Sequence, residues 1–124
     1  MQLLLVGKSS GMISLTTTAV YVPITTPVMA LGSKELGALI QVPPGQPATV
    51  SAQLAYRFFS TDDSQSATAW VDVSTAQVGP GKAFKSGSVS TVDGMFIQFG
   101  LKLSTTSGTA TARASMQRPI LVTV

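Results

Sequence analysis

The chain contains no cysteine and no histidine, and asparagine is absent as well. Without cysteine and histidine, the sequence excludes disulfide bonds, zinc sites and catalysis by a histidine base. Because N-glycosylation requires asparagine, that modification is also excluded. The chemistry left to the chain therefore rests on hydroxyl, carboxylate and amine groups.

Charge is also scarce. Charged residues make up 10% of the 124 residues, against about 25% in a typical domain. The eight basic residues exceed the five acidic ones by three, but they are dispersed, and only Lys82 and Lys85 lie close together. Such dispersion predicts no nucleic-acid-binding surface. The longest apolar run near the N-terminus, residues 3–6, is far shorter than the roughly 18 residues of a membrane helix, so we expect no membrane partner.

The length and the N-terminus predict one domain made in the cytoplasm. A chain of 124 residues is the size of one domain with a single hydrophobic core, so we expect residues 1–124 to form one unit. The first residues lack a basic region, a sustained apolar region and a small-residue cleavage site, and we therefore expect synthesis in the host cytoplasm without a signal peptide.

Alternation of apolar and polar residues predicts several β-strands. It is clearest in residues 49–60, where Val50, Leu54 and Phe58 share the apolar parity. Further alternating runs are 95–103, 109–116, a weaker run at 13–21 and a terminal run at 120–124.

Turn signals separate these runs at intervals of about 10 to 15 residues, which is typical of an antiparallel sandwich. They lie at 43–47, 61–64, 79–81, 93–94 and 105–108. Asp93-Gly94 predicts a two-residue hairpin, and Ser107-Gly108 is expected to pair the strand before it with the strand after it.

Together these patterns predict an all-β fold, a single antiparallel β-sandwich of seven to nine strands. The cysteine pair of immunoglobulin domains is missing, so a jelly roll is favoured over an immunoglobulin-like sandwich. Only residues 33–39 have helical features, with Ser33 as a possible N-cap and Glu35 in the first turn, while Gly37 opposes helix formation. At most one helical turn is expected.

No residue pattern points to catalysis, a metal or a cofactor. Gly7-Lys8-Ser9 lacks the earlier glycine and the following helix of a phosphate-binding loop. Asp62 and Asp63 are adjacent in a turn, which does not suit a pair of catalytic carboxylates. With Ser64 they offer oxygen ligands for calcium, but without the spacing of a calcium-binding loop. We therefore expect no enzyme activity, no cofactor and no metal.

Aromatic residues on polar strand faces are the candidate contact residues. In residues 67–74 the apolar parity excludes Trp70, which falls with Thr68 and Asp72 on the polar face. A tryptophan there is a contact residue or is covered by a loop; alternatively, a bulge shifts the register and buries it in the core. The candidate interface or ligand-contact residues are Trp70, Thr68, Asp72, Phe59 and Phe96.

The surface predicts assembly with other subunits. A soluble monomer usually carries about 25 to 35% charged residues on its surface, whereas this chain has few charges and has apolar residues on both strand parities. Burial against neighbouring subunits accounts for both features.

In size, Ser/Thr-rich alternating strands, low charge and lack of cysteine and histidine, the chain resembles small β-sandwich structural proteins of tailed bacteriophage virions, particularly capsid decoration proteins. The resemblance implies a noncatalytic virion protein that binds other copies of itself and a major capsid protein. No individual residue role carries over from it. Two alternatives remain: a carbohydrate- or receptor-binding sandwich that uses Trp70 and Tyr56, and an extracellular fibre or adhesin subunit.

Overall fold

The computed structural model describes residues 2–29, 32–59, 68–89 and 96–123. Within these ranges the chain forms strands and no helix, so no described helix is long and apolar enough to cross a membrane. The strands are β1 (Gln2–Leu4), β2 (Ile13–Leu15), β3 (Val20–Pro23), β4 (Val28–Met29), β5 (Ser33–Val42), β6 (Val50–Phe59), β7 (Val71–Val78), β8 (Gly81–Ser88), β9 (Phe96–Thr105), β10 (Ala110–Ala112) and β11 (Ser115–Thr123).

Two antiparallel sheets contain most of these strands. The first sheet has the order β1, β11, β5, β8, and the second has the order β3, β9, β6, β7, with β4 also paired to β9. A separate ladder joins β2 and β10. The chain passes from one sheet to the other between β5 and β6, and it returns between β7 and β8. The predicted antiparallel β-sandwich is thus confirmed.

The core fills the space between the two sheets. Residues from β5, β6, β9 and β11 dominate it, and their inward side chains alternate with outward ones as the pleat requires. The largest fully buried side chains are Phe99, Leu15, Leu36, Ile40, Leu54, Ile97, Leu101, Leu103, Met116, Leu121, Val42 and Val50.

The two clearest alternating runs are confirmed as neighbouring central strands. β6 and β9 pair in one unbroken register from Val50 opposite Thr105 to Phe59 opposite Phe96. Directly opposed residues point to the same face of a sheet. Leu54 and Leu101 therefore face the core together, whereas Arg57 and Gln98 share the outer face.

Residues 33–39, where at most one helical turn was expected, form no helix and are the first part of β5. Leu36, Ala38 and Ile40 alternate with period two and are almost completely buried. β11 and β8 pair with β5 on its two sides. Burial and ladder hydrogen bonds outweigh the weak local preference for a capped helical turn.

Two of the predicted strands are each divided. Residues 13–21 form β2 and β3, because the Thr16 hydroxyl accepts a hydrogen bond from the Thr18 backbone and turns the chain. Residues 109–116 divide between β10 and the start of β11, which belong to different sheets. These divisions and several very short strands raise the number of described strands to eleven, above the seven to nine expected.

The hairpin expected around Ser107-Gly108 is also wrong. A turn does form there, closed by a hydrogen bond from the Thr105 hydroxyl to the Gly108 carbonyl. However, β9 pairs with β6 on one side and with β3 and β4 on the other, so no edge remains for β10. The Asp93-Gly94 hairpin lies outside the described residues.

The terminal run predicted at 120–124 is the second half of β11. The register of β11 against β5 shifts between Gln117 and Ile120. Arg118 has a positive φ of 49° at this bulge, and Pro119 after it is buried. A β-bulge of this kind changes which residues face inward, and Leu121 consequently joins the core.

Two methionines provide a matched test of this core. Met116 is fully buried, whereas Met12 is 59% exposed. Met116→Ala should lower the free energy of unfolding by about 2 to 5 kcal/mol through the cavity it leaves. Met12→Ala should change it by no more than about 0.5 kcal/mol. Urea denaturation of the two variants measures this difference. An equal loss of unfolding free energy in both variants would place Met116 outside the core.

Candidate functional site on the outer face of the second sheet

Four of the five predicted contact residues share the outer face of the second sheet. Phe59 and Phe96 are a directly opposed pair on β6 and β9. Trp70 immediately precedes β7, and Asp72 is the second residue of that strand. Thr68 lies just beyond, at the edge of the sheet. Its backbone N–H donates to the Phe58 carbonyl over 2.8 Å, and its hydroxyl accepts from the Phe58 N–H over 3.0 Å.

Trp70 is half-buried on this face, outside the core cluster. The Tyr21 ring is parallel to the indole within 3°, with 5.5 Å between the ring centroids. The Arg57 guanidinium carbon lies 4.3 Å from the indole centroid and 5.0 Å from the Phe59 centroid. We call Tyr21, Trp70, Arg57 and Phe59 the aromatic stack. Its cation–π and stacking contacts hold the indole against its own chain.

The indole lies across Gly100 of β9. A Cβ atom added at Gly100 would lie 2.5 Å from Trp70 Cη2 and 2.8 Å from the Val22 carbonyl oxygen. Separations this short exclude any side chain larger than hydrogen unless both the indole ring and the Val22 backbone move. The glycine therefore opens the space that lets Trp70 reach from β7 over the neighbouring strands.

An acidic residue links three strands of the site. Asp72 accepts hydrogen bonds from the Tyr21 hydroxyl and the Lys102 ammonium, each over 2.9 Å. Burial, and next the hydrogen bond to Asp72, raise the pKa of Tyr21 above its ordinary value. The same carboxylate raises the pKa of Lys102. At neutral pH Lys102 is therefore a cation and Tyr21 a neutral phenol.

Arg57 is held by a buried amide. Its Nε donates to Gln98 Oε1 over 2.9 Å, and Gln98 Nε2 donates to the Thr25 carbonyl over 3.0 Å. Gln98 is only 8% exposed. Burial lowers the pKa of Arg57, but an arginine stays charged at physiological pH. The guanidinium is thus fixed at two points, by an amide and by the stacked rings.

This arrangement is suited to rigid contact. Asp72 is committed to Tyr21 and Lys102, and no group of three metal-binding side chains occurs among the described residues. The possible calcium ligands Asp62, Asp63 and Ser64 lie outside those residues. The site offers a flat, ordered aromatic and cationic surface with one neutralised acid.

Sequence alternation did not find Tyr21, Arg57, Lys102 or Gly100 as parts of this site. Tyr21 was expected on the apolar parity of a continuous strand, and the turn after Thr16 places it on the outer face instead. The signal that could have found Arg57 and Lys102 is their position on the polar parity of the two central strands. Tyr56, expected to serve a sugar site, is buried in the core and packs edge-on against Phe58.

Comparison with solved structures adds evidence on the fold. No protein-family model and no curated protein matches the chain. A chain in the structure of infectious bursal disease virus, Gx strain, matches with a TM-score of 0.59 and 11% identity, over 98% of this chain. This chain spans 30% of the length of that chain. The likeness shows a shared all-β fold with a chain of a virus structure, and it does not single out tailed-phage decoration proteins.

The first prediction for this site concerns the glycine below the indole. Gly100→Ala should displace Trp70, shift the emission of this sole tryptophan and destabilise the fold by about 1 to 3 kcal/mol through overpacking.

Gly37→Ala is a matched control, because its Cβ would lie 2.7 Å from Phe84 Cζ on the other sheet. This control should leave tryptophan emission unchanged. Unaltered emission in Gly100→Ala would contradict the close packing of Trp70 on β9.

The second prediction follows from the raised pKa of Tyr21 and Lys102. Above about pH 10 the unfolded chain loses these protons before the folded chain does, so it binds fewer protons and stability falls as pH rises. Below about pH 10 both groups keep their protons in the folded and the unfolded chain, and their contribution to the stability of the fold is fully present.

Asp72→Asn should lower the pKa of Tyr21 toward its ordinary value of 10.0, because the carboxylate no longer accepts from the phenol. Spectrophotometric titration of phenolate formation measures this shift, and Tyr21→Phe identifies the signal by removing it. If the pKa of Tyr21 is the same in Asp72→Asn as in the wild-type chain, the hydrogen bond from Tyr21 to Asp72 would be contradicted.

Proposed function

We propose that the chain is a noncatalytic structural protein of a virion and that it stabilises the particle by binding other copies of itself and a major capsid protein. The observation that carries this proposal is the fold likeness to a chain of a virus structure over nearly the whole length of this chain. A decoration role on the outside of a bacteriophage head is the specific form that the sequence resemblance suggests.

We further propose that the sandwich is a jelly roll. Apart from the separate β2–β10 ladder and the two-residue β4 beside β9, eight strands divide four and four between the sheets, as β1, β11, β5, β8 and β3, β9, β6, β7. The first strand, β1, pairs with the last, β11. Immunoglobulin constant-type sandwiches divide four and three, whereas jelly rolls have eight strands and occur in viral capsids.

The surface chemistry supports assembly over catalysis. Large apolar side chains are exposed in both sheets, including Leu4 at 68% and Phe84 at 56% in the first, and Val71 at 44% in the second. The one ion pair among the described residues is Lys102 with Asp72. Contacts with neighbouring subunits would therefore depend mainly on apolar burial and backbone pairing, with a modest contribution from charge.

The packing of Trp70 bears on the alternative of a sugar-binding module. Sugar rings stack on a free aromatic face, but here the indole already contacts Tyr21 and Arg57 of its own chain. A glycan would have to displace one of these side chains. The aromatic stack therefore favours a rigid protein-contact surface over a sugar platform.

The experiment that tests the proposed role is quantitative mass spectrometry of gradient-purified particles from the virus that encodes the chain. We expect the protein to sediment with the particles in many copies. It should remain bound between about 0.1 and 1 M NaCl, although the Debye length falls from about 10 to 3 Å over that range. Recovery only in the particle-free fraction would contradict the virion role, and release by salt would show that charged contacts hold it.

A further inference from the structure

The two sheets meet closely along one side of the sandwich and stay apart along the other. On the closed side the Lys85 ammonium of β8 donates to the Thr75 hydroxyl of β7 over 3.1 Å. A Cβ atom added at Gly87 would also lie 2.6 Å from Val73 Cγ1. On the other side a slot of about 290 Å³, which we call the open seam, separates β1 from residues 24–26. Its lining residues are Leu4, Leu5, Val6, Lys8, Ile24, Thr25 and Thr26.

β1 is an edge strand whose second side is unpaired within the described part of the chain. It pairs only with β11, with Leu4 opposite Ile120. The Leu5 N–H continues this ladder by donating to the Pro119 carbonyl over 2.8 Å. Backbone groups alternate in direction along a strand, so those of Leu4 and Val6 point away from β11. Both side chains are largely exposed, at 68% for Leu4 and 85% for Val6.

β1 lacks the features that protect the other edge strands from pairing with another chain. Charges, prolines, bulges and very short strands are the usual protection. β8 carries Lys82 and Lys85, and β3 ends at Pro23 beside β4, which has two residues. In β7, Ser74 has a positive φ of 61° beside a register shift. Residues 2–6 contain no charge, no proline and no glycine, so this edge is open to strand addition.

We propose that β1 pairs antiparallel with β1 of a second copy of the chain, through a twofold axis that passes between the two Leu5 residues and stands perpendicular to the first sheet. Leu4 of each copy is then opposite Val6 of the other, and their outward N–H and C=O groups form four hydrogen bonds. The four-stranded first sheets of the two copies join into one continuous sheet. The contact deepens the self-association in the proposed function and rests on that role for its purpose.

The side chains show why a second copy is the occupant. Leu5 packs against the core cluster, so its side chain lies on the inner face, at the open seam. Directly opposed residues share a face, so Leu5 of the second copy also enters the open seam. On the outer face, Leu4 and Val6 of the two copies form apolar cross-strand pairs. The edge requires an extended, unprotected apolar strand, and the same strand of a second copy supplies one with matching hydrogen bonds.

No like charges face each other in this pairing. Lys8 of each copy lies near Gln2 of the other, and the two Lys8 residues are about 20 Å apart at 3.4 Å per residue. Arg118 lies one strand further in, at the bulge of β11, so about 14 Å, or three strand spacings, separates the two copies of Arg118. Both distances exceed the Debye length of about 8 Å at physiological ionic strength. Lys34 and Glu35 lie on β5, still further from the axis.

The test is disulfide capture in the full chain, which has no cysteine of its own. Standard interfaces use about 20 to 30 residues per partner, so this short contact is weak in isolation and covalent capture is the suitable measurement. In Leu5→Cys the two opposed Cα atoms would be about 4.5 Å apart, within the range of a disulfide. Mild oxidation should therefore give a disulfide-linked dimer on non-reducing electrophoresis.

Met12→Cys is the matched control, because Met12 is 59% exposed and lies outside β1. It should be captured at least about tenfold more slowly, since its two copies are not opposed. An equimolar mixture of Leu4→Cys and Val6→Cys repeats the test at exposed positions. This mixture should form the heterodimer in preference to either homodimer, because Leu4 is opposite Val6 across the axis.

Two substitutions at Val6 test the backbone hydrogen bonds. Val6→Pro removes the N–H that points to the second copy, whereas Val6→Ala keeps it. In the Leu5→Cys chain, Val6→Pro should slow dimer capture by about tenfold or more, because two hydrogen bonds are lost per dimer. Val6→Ala should change the rate much less. Circular dichroism confirms that every variant is folded.

Capture of Leu5→Cys no faster than that of Met12→Cys, together with no preference for the Leu4→Cys and Val6→Cys heterodimer, would overturn the proposed pairing. Equal capture of the proline and alanine variants would also overturn it. Association of the wild-type chain with particles, measured separately by cosedimentation with virions, stays an independent test of the proposed function.

Discussion

The unbroken pairing of β6 with β9 is the constraint on which the rest of the structure depends. It fixes ten directly opposed residue pairs, and a slip of one residue would turn the core-facing side chains of the shifted strand to the outer face. In the observed register Leu54, Phe99 and Leu101 enter the core. The same register places Arg57 beside Gln98 and leaves Gly100 beneath Trp70. Core and candidate site are therefore two faces of one ladder.

Glycine has a related role on both outer faces. At Gly100 and at Gly37, a missing side chain lets an aromatic ring from another part of the sheet lie across the strand. The two resulting surfaces differ in character. The Trp70 surface is held in place by its own hydrogen bonds and cation–π contacts, whereas Phe84 remains more than half exposed. One face is thus internally satisfied, and the other retains exposed apolar area.

The few charges of the chain are used locally. The ion pair of Lys102 and Asp72 is about one third exposed at both side chains, and pairs of that exposure typically contribute no more than about 1 kcal/mol. The ion pair mainly fixes the position of Asp72, which in turn orients Tyr21 through a hydrogen bond. Stability therefore depends chiefly on burial between the sheets.

Much of the fold follows from the sequence alone, because strand alternation directly records which side chains meet the core. The described parts of residues 49–60 and 95–103 were assigned correctly as strands with their inward faces, and so was the sandwich class. The strand at residues 33–39 was not recognised, because local capping signals there favour a helical turn, whereas the sheet pairing that forms β5 involves distant residues. Likewise, the alternation of residues 109–116 gave no sign that they divide between two different ladders.

For the candidate site, the sequence determined that Trp70, Asp72, Phe59 and Phe96 fall on polar parities. Only the tertiary structure decided what surrounds them. Tyr21, Arg57 and Gly100 are far from Trp70 along the chain, and they meet it because β3, β9, β6 and β7 are adjacent in one sheet. Alternation within a strand specifies the face of the sheet on which each side chain lies. The neighbours of that side chain depend on strand order and register, which are set by the burial of both sheets together.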